Sequence, residues 1–195
     1  MGDGRALGSW IMRDTVWSRC GLGLAAGLLA LAPPVSRRTD PVILLAYLQL
    51  PSYMIHQYEE HGHGAFKREM NALLPPTVGR LTNGNIFLSN VIGVWFTDAA
   101  AITLAANGLS TAALLPPYLA VVNAFLHIAP VLRLRRYNPG LLTALALFLP
   151  FGLYCIRTIG RELRATRRDH VLCLVSALGL HLGVVLLIAR EREAR

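Results

Sequence analysis

Charge is scarce in this chain, and lysine and cysteine are scarcer. Asp, Glu, Lys and Arg make up 15% of its 195 residues, against about 25% in an ordinary soluble protein. That deficit excludes a conventional soluble domain, whose surface is mostly polar and charged side chains. The three cysteines, Cys20, Cys155 and Cys173, are far apart and set in apolar sequence. They form neither a disulfide framework nor a zinc spacing, and read as small buried hydrophobes. Lys67 is the sole lysine, so arginine carries the net charge of +8. A basic chain can be a nucleic-acid binder. Here, however, the arginines lie between apolar runs: Arg37 and Arg38; Arg133, Arg135 and Arg136; Arg161, Arg164, Arg167 and Arg168. Loops that flank membrane helices and meet lipid head groups look like this, so membrane lipids are expected partners and nucleic acid is not. Ten-residue alternation is absent and prolines interrupt the apolar runs, which excludes a transmembrane β-barrel. No internal repeat and no low-complexity linker is visible, and the missing inverted repeat argues against an energised transporter.

What the chain does have is apolar sequence. Hydrophobic residues make up 54% of it, with mean hydropathy +0.46, gathered into runs near the roughly 20 residues a span requires. The expected fold is all-α, a polytopic transmembrane bundle of five to six helices. The first candidate covers 17–34. Arg5, Arg13 and Arg19 precede its strictly apolar core, which is short, and Ala30-Leu31-Ala32 resembles a cleavage site. It reads as a signal peptide, a signal anchor or an extra membrane helix. Further helices are expected over 41–60, with Pro41 at the start and Pro51 as a kink, and over 86–106, closed by Asn107-Gly108. Others follow over 112–132, from after Pro139-Gly140 to about 159 with Pro150 at mid-depth, and over 171–189. The organisation is then an N-terminal segment 1–40, a membrane core 41–160, and a basic loop, last helix and basic tail over 161–195. Loops 61–85 and 133–139 share one side, with three Lys/Arg each. The positive-inside rule makes that side cytoplasmic, while the arginine-rich 160–169 turn opposes it.

Ionisable residues in apolar spans are costly, so each is a functional candidate. His56, Glu59 and Glu60 end the second helix, and His56 shares a helical face with both glutamates. Asn90 lies one turn into the third helix. Asn123 and His127 are four apart on the fourth. Tyr137 lies in the turn into the fifth, and Thr143 one turn beyond it. Because helices alternate in direction, His56, Glu59, Glu60, Asn90, Asn123, His127 and Tyr137 fall in one layer near one membrane face. His61 and His63 flank Gly62 and read as solvated loop histidines. His181 falls on the side of the layer, His170 on the opposite side, and Asp98 at mid-depth. The aromatics Tyr47, Tyr53, Trp95, Phe96, Tyr118 and Tyr154 read as packing or interface residues.

These blocks carry a resemblance. His56-x-x-Glu59-Glu60, Phe87-Leu88-Ser89-Asn90, Asn123-x-x-x-His127 and Tyr137-x-Pro139-Gly140-x-x-Thr143, in that order, resemble the HXXEE-motif family of small bacterial membrane proteins. The resemblance spans about 41–160 and implies an integral protein of a bacterial cytoplasmic membrane. It implies little chemistry, because the family is largely without an assigned function.

Three readings of the layer follow from its residue types. His56, Glu59, Glu60 and His127 are a plausible ligand set for a divalent iron, manganese or zinc ion. Alternatively, a carboxyl group near hydrocarbon donates a proton and a neutral histidine relays it, chemistry suited to isomerisation or cyclisation. In both, the protein is an enzyme acting on a lipid-soluble isoprenoid, sterol or acyl substrate. His56 and His127 are ligands or base, Glu59 and Glu60 ligand and general acid, Asn90 and Asn123 orienting groups, and Tyr137 a lid donor. The third reading is non-catalytic: the polar groups lock helices together, or pass ions, protons or small molecules.

Overall fold

The computed structural model describes residues 10–75 and 79–193, without the side chains of Asp14 and of 188–193; Arg5 lies outside the described residues. Every regular element among them is helical. Helix α1 spans Asp14–Ser36 and α2 spans Pro41–His61. A short α3, Ala65–Leu73, lies within the stretch expected to be loop. Then come α4, Asn83–Ala106, α5, Ser110–Leu134, and α6, Leu141–Glu162. Helix α7 spans Arg167–Glu193. Among the described residues, α1, α4, α5, α6 and α7 are long and apolar enough to cross a membrane. Helix α2 packs along α1 and against α4, α5 and α6. Its last third carries polar side chains, which lower its hydropathy but mark it as the site helix. The protein is a polytopic transmembrane helical bundle.

Local chemistry sets the helix ends. Asp40 caps α2, its Oδ1 accepting from the Val42 amide at 2.8 Å, with Pro41 in the first turn. Thr82 and Asn85 form a capping box that starts α4 three residues before the expected boundary. The turn before it is pinned by Asn71, whose side chain bonds both the amide and the carbonyl of Leu81. Helix α2 continues through Pro51 to His61.

Two helices widen into π turns, which the sequence did not announce. In α6 the π segment is Ala144–Phe148. It includes the carbonyl of residue 146, against which the Pro150 ring would press in an α-helix, so the wider turn accommodates the proline. In α4 the π segment is Leu88–Phe96, and it aligns residues five apart. Asn90 and Trp95 thereby both reach Gln57 on α2: Gln57 Nε2 donates to Asn90 Oδ1 at 2.8 Å, and Trp95 Nε1 donates to Gln57 Oε1 at 2.5 Å. An ordinary α turn would splay those two side chains well apart around the helix.

Helix α5 is the hub, packed against α2, α4, α6 and α7. The bundle core is built on small residues, with Ala120, Ala124, Ala144 and Ala177 fully buried around Tyr53, Leu119 and Phe148. Small side chains allow close helix approach, the main source of packing energy in lipid. This approach puts the ends of α2 and α5 side by side, facing the start of α6.

Candidate functional site

Glu60 lies at the centre of the polar layer. Its Oε2 is 3.7 Å from His56 Nε2 and its Oε1 is 3.7 Å from His127 Nε2. The three ligand atoms of His56, Glu60 and His127 lie within 4.8 Å of one another, and all three residues are buried. The imidazole rings of His56 and His127 meet edge to face at 4.8 Å, and Phe148 lies 4.2 Å from the His56 ring on its other side.

The proton positions on both histidines follow from their second contacts. The Thr143 hydroxyl donates to Glu59 Oε2 at 2.5 Å. It has one proton, so at 2.8 Å it can only accept from His56 Nδ1. Nδ1 of His56 therefore carries the hydrogen and Nε2 the lone pair. Asn138 Nδ2 donates to the backbone carbonyl of His127 at 2.8 Å, which turns Asn138 Oδ1 toward His127 Nδ1, also at 2.8 Å. The reversed amide would oppose two oxygens. His127 likewise carries its hydrogen on Nδ1. Two imidazole lone pairs and a carboxylate thus converge across gaps too long for hydrogen bonds. Among the described residues His56 Nε2 has no hydrogen-bond partner. Histidine ligands held through their second nitrogen in this way are typical of metal sites.

Glu59 departs from the grouping expected of it. Its carboxylate turns to the start of α6, away from the other three. There it accepts from Tyr137 Oη at 2.6 Å, the Leu142 amide at 3.0 Å, and the Thr143 amide and hydroxyl at 2.7 and 2.5 Å. It is an anion at a helix N-terminus, a favourable place for negative charge. Partial desolvation, then the Glu59 carboxylate beside it, push the Tyr137 phenol up to about 12.

The turn joining α5 and α6 lies directly over the histidines. Gly140 has φ +95°. A Cβ added there would lie 2.6 Å from His127 Cε1 and 3.0 Å from His56 Cε1. Only glycine satisfies both the backbone and the space.

The remaining expected residues fall at the edge of the layer. Asn90 orients Gln57, not the histidines. Asn123 approaches Tyr53, one turn deeper. His181 bonds the backbone of its own helix one turn earlier, its Nδ1 2.8 Å from the Ala177 carbonyl. Asp98 is fully buried, and among the described residues neither of its oxygens has a hydrogen-bond partner. His63 is exposed as expected, but His61 is not a loop residue. It ends α2, is 1% exposed, and packs between Trp17 and Phe66 with Nε2 3.2 Å from Glu60 Oε2. Gln57, His61, Asn138 and the close approach at Gly140 escape sequence reasoning. The Asn-Pro-Gly turn signal covered two of these, but nothing in it pointed inward.

A family model described as a protein of unknown function with HXXEE motif matches residues 47–155. The chain belongs to this family. No curated protein and no solved structure matches it. In this HXXEE protein the motif residues divide their work: His56 and Glu60, four apart on one face, enter the cluster, while Glu59, turned aside by one residue, anchors the covering turn.

Proposed function

We propose that this HXXEE protein is a membrane-embedded metalloenzyme of a bacterial cytoplasmic membrane, acting on a lipid-soluble substrate. His56, Glu60 and His127 are its metal ligands. The observation that carries the reading is the pair of Nε2 lone pairs, each fixed by a partner on Nδ1, aimed at one buried carboxylate. Without a cation that arrangement sets three electron-rich atoms against one another. With one it is a two-histidine, one-carboxylate set that leaves coordination positions open, suited to iron, manganese or zinc. Such an ion supplies Lewis-acid polarisation or an activated oxygen nucleophile. The protein's part is to fix the ligands through Thr143 and Asn138, to cover them with the Gly140 turn, and to hold His61 beside Glu60 as a proton-handling group. Burial near one end of an apolar bundle supports an isoprenoid, sterol or acyl substrate, which reaches such a site through lipid.

The test is elemental analysis of detergent-purified protein loaded with Fe²⁺, Mn²⁺ or Zn²⁺, beside His56→Ala, Glu60→Gln, His127→Ala and Glu59→Gln. One ion per chain in the wild type, lost in the first three and kept in the fourth, supports the reading. No bound ion in the wild type ends the metal claim. Turnover of a lipid extract that then still vanished in Glu60→Gln would favour metal-free proton transfer by Glu60 and His61, whose direct approach at 3.2 Å is the observation behind that second reading.

A further inference from the structure

At the opposite membrane face, α6 and α7 are consecutive in sequence but do not pack along each other; α7 rests on α5 instead. A shallow groove of about 530 Å³ runs along α6, lined by Leu153, Ile156, Arg157, Gly160 and Arg161, with His170 of α7 at its edge. Its lining is graded along its length. Leu153, Arg157 and Arg161 follow at four-residue intervals, as do Ile156 and Gly160, so each set forms a stripe on α6. The end toward the membrane face carries two guanidinium groups one turn apart. The deeper end is aliphatic.

His170 closes the charged end from the α7 side. Its ring lies so near Gly160 that a Cβ there would come within 2.8 Å of Cε1. Its Nδ1 is 2.9 Å from the Tyr118 hydroxyl, which leaves Nε2 for the groove. Nearby acids do not neutralise the arginines. Asp169 is taken up by the Thr166 amide and hydroxyl, Glu162 is exposed, and among the described residues neither guanidinium has an ion-pair partner. Two guanidiniums without ion-pair partners beside an imidazole, next to the aliphatic Leu153 and Ile156 on the same helix, match a phosphodiester on a hydrocarbon tail.

We propose that this groove binds one anionic glycerophospholipid, its phosphate held by Arg157, Arg161 and His170 and an acyl chain lying along Leu153 and Ile156. The proposal is independent of the metal reading. It gives a role to Arg161, one of the arginines of the 160–169 turn. The test is native mass spectrometry of the delipidated full chain, titrated with phosphatidylglycerol, phosphatidylcholine or inorganic phosphate. Expected is a single phosphatidylglycerol adduct, at least tenfold preferred over phosphatidylcholine and undisturbed by millimolar inorganic phosphate. The preference should be lost in R157Q/R161Q, kept in R157K/R161K, and kept in R133Q/R136Q at the other face. If the double glutamine variant does not survive purification, R157Q and R161Q alone should each weaken the adduct several-fold. Equal retention of both lipids, an unchanged preference in the glutamine variants, or displacement by inorganic phosphate would overturn the proposal.

Discussion

The hydroxyl of Thr143 lies 2.8 Å from Nδ1 of His56 and determines which imidazole nitrogen carries the proton. Replacing it by valine keeps the β-branched shape and removes the acceptor. Thr143→Val should lower metal affinity by about 10- to 100-fold, the usual effect of losing such an outer partner, whereas Thr143→Ser should retain affinity. Competition against a metal-sensitive dye measures both. Equal affinity in the two variants would mean that the hydroxyl does not set the His56 tautomer.

The two glutamates should separate cleanly by substitution. Glu59→Gln leaves a carboxamide facing the amides of Leu142 and Thr143, so an N–H donor meets N–H donors. It should cost about 2 kcal/mol of stability and lower the melting temperature with little loss of bound metal. Glu60→Gln should do the reverse. Thermal unfolding and elemental analysis on the same preparations distinguish them, and a Glu59→Gln protein that melts like the wild type would contradict the anchoring role.

Tyr137 gives a pH signature outside the membrane-spanning segments. Its folded-state value, about 12, lies above the ordinary phenol value of 10.0. A raised value favours the protonated phenol in the fold, so its contribution is fully present below pH 10 and is lost as the pH rises toward 12. The melting-temperature difference between wild type and Tyr137→Phe should be constant from neutral pH to 10 and shrink above it. A difference that stayed constant to pH 12 would refute the bond to ionised Glu59.

Gly140→Ala adds a single carbon at a φ of +95°, where it would press on both site imidazoles. Backbone strain of this kind costs about 1–3 kcal/mol, and the clash adds displacement of the histidines. Both stability and metal binding should fall. By contrast, Gly108→Ala at the end of α4 has φ +106° and open space around it, so it should lose stability alone.

How much of this was legible in the sequence differs by level. The long helices follow from apolar runs, while the short polar α3 does not, and the shared layer of His56, Glu60 and His127 follows from alternation of direction. Roles were less legible than positions. Glu59 and Glu60 are adjacent and chemically identical, and only the docking of α6 onto α2 separates them. His61 precedes Gly62 and Gly64 and reads as loop until the packing of Trp17 and Phe66 encloses it. Alternation puts Asn90 near the layer but does not reveal its partner Gln57, because the π turn of α4 changes which residues share a face. No composition rule announces that turn in the absence of a proline.

The covering turn also has a kinetic meaning. Glu59 and Asn138 tie it down through hydrogen bonds to Tyr137, Leu142, Thr143 and His127, and its Gly140 backbone rests on the imidazoles. An occupant of the gap beneath cannot leave toward that face until the turn opens as a unit. If the site holds the proposed ion, its exchange toward that face is paced by local opening of the α5–α6 junction, and a chelator should strip the loaded protein slowly.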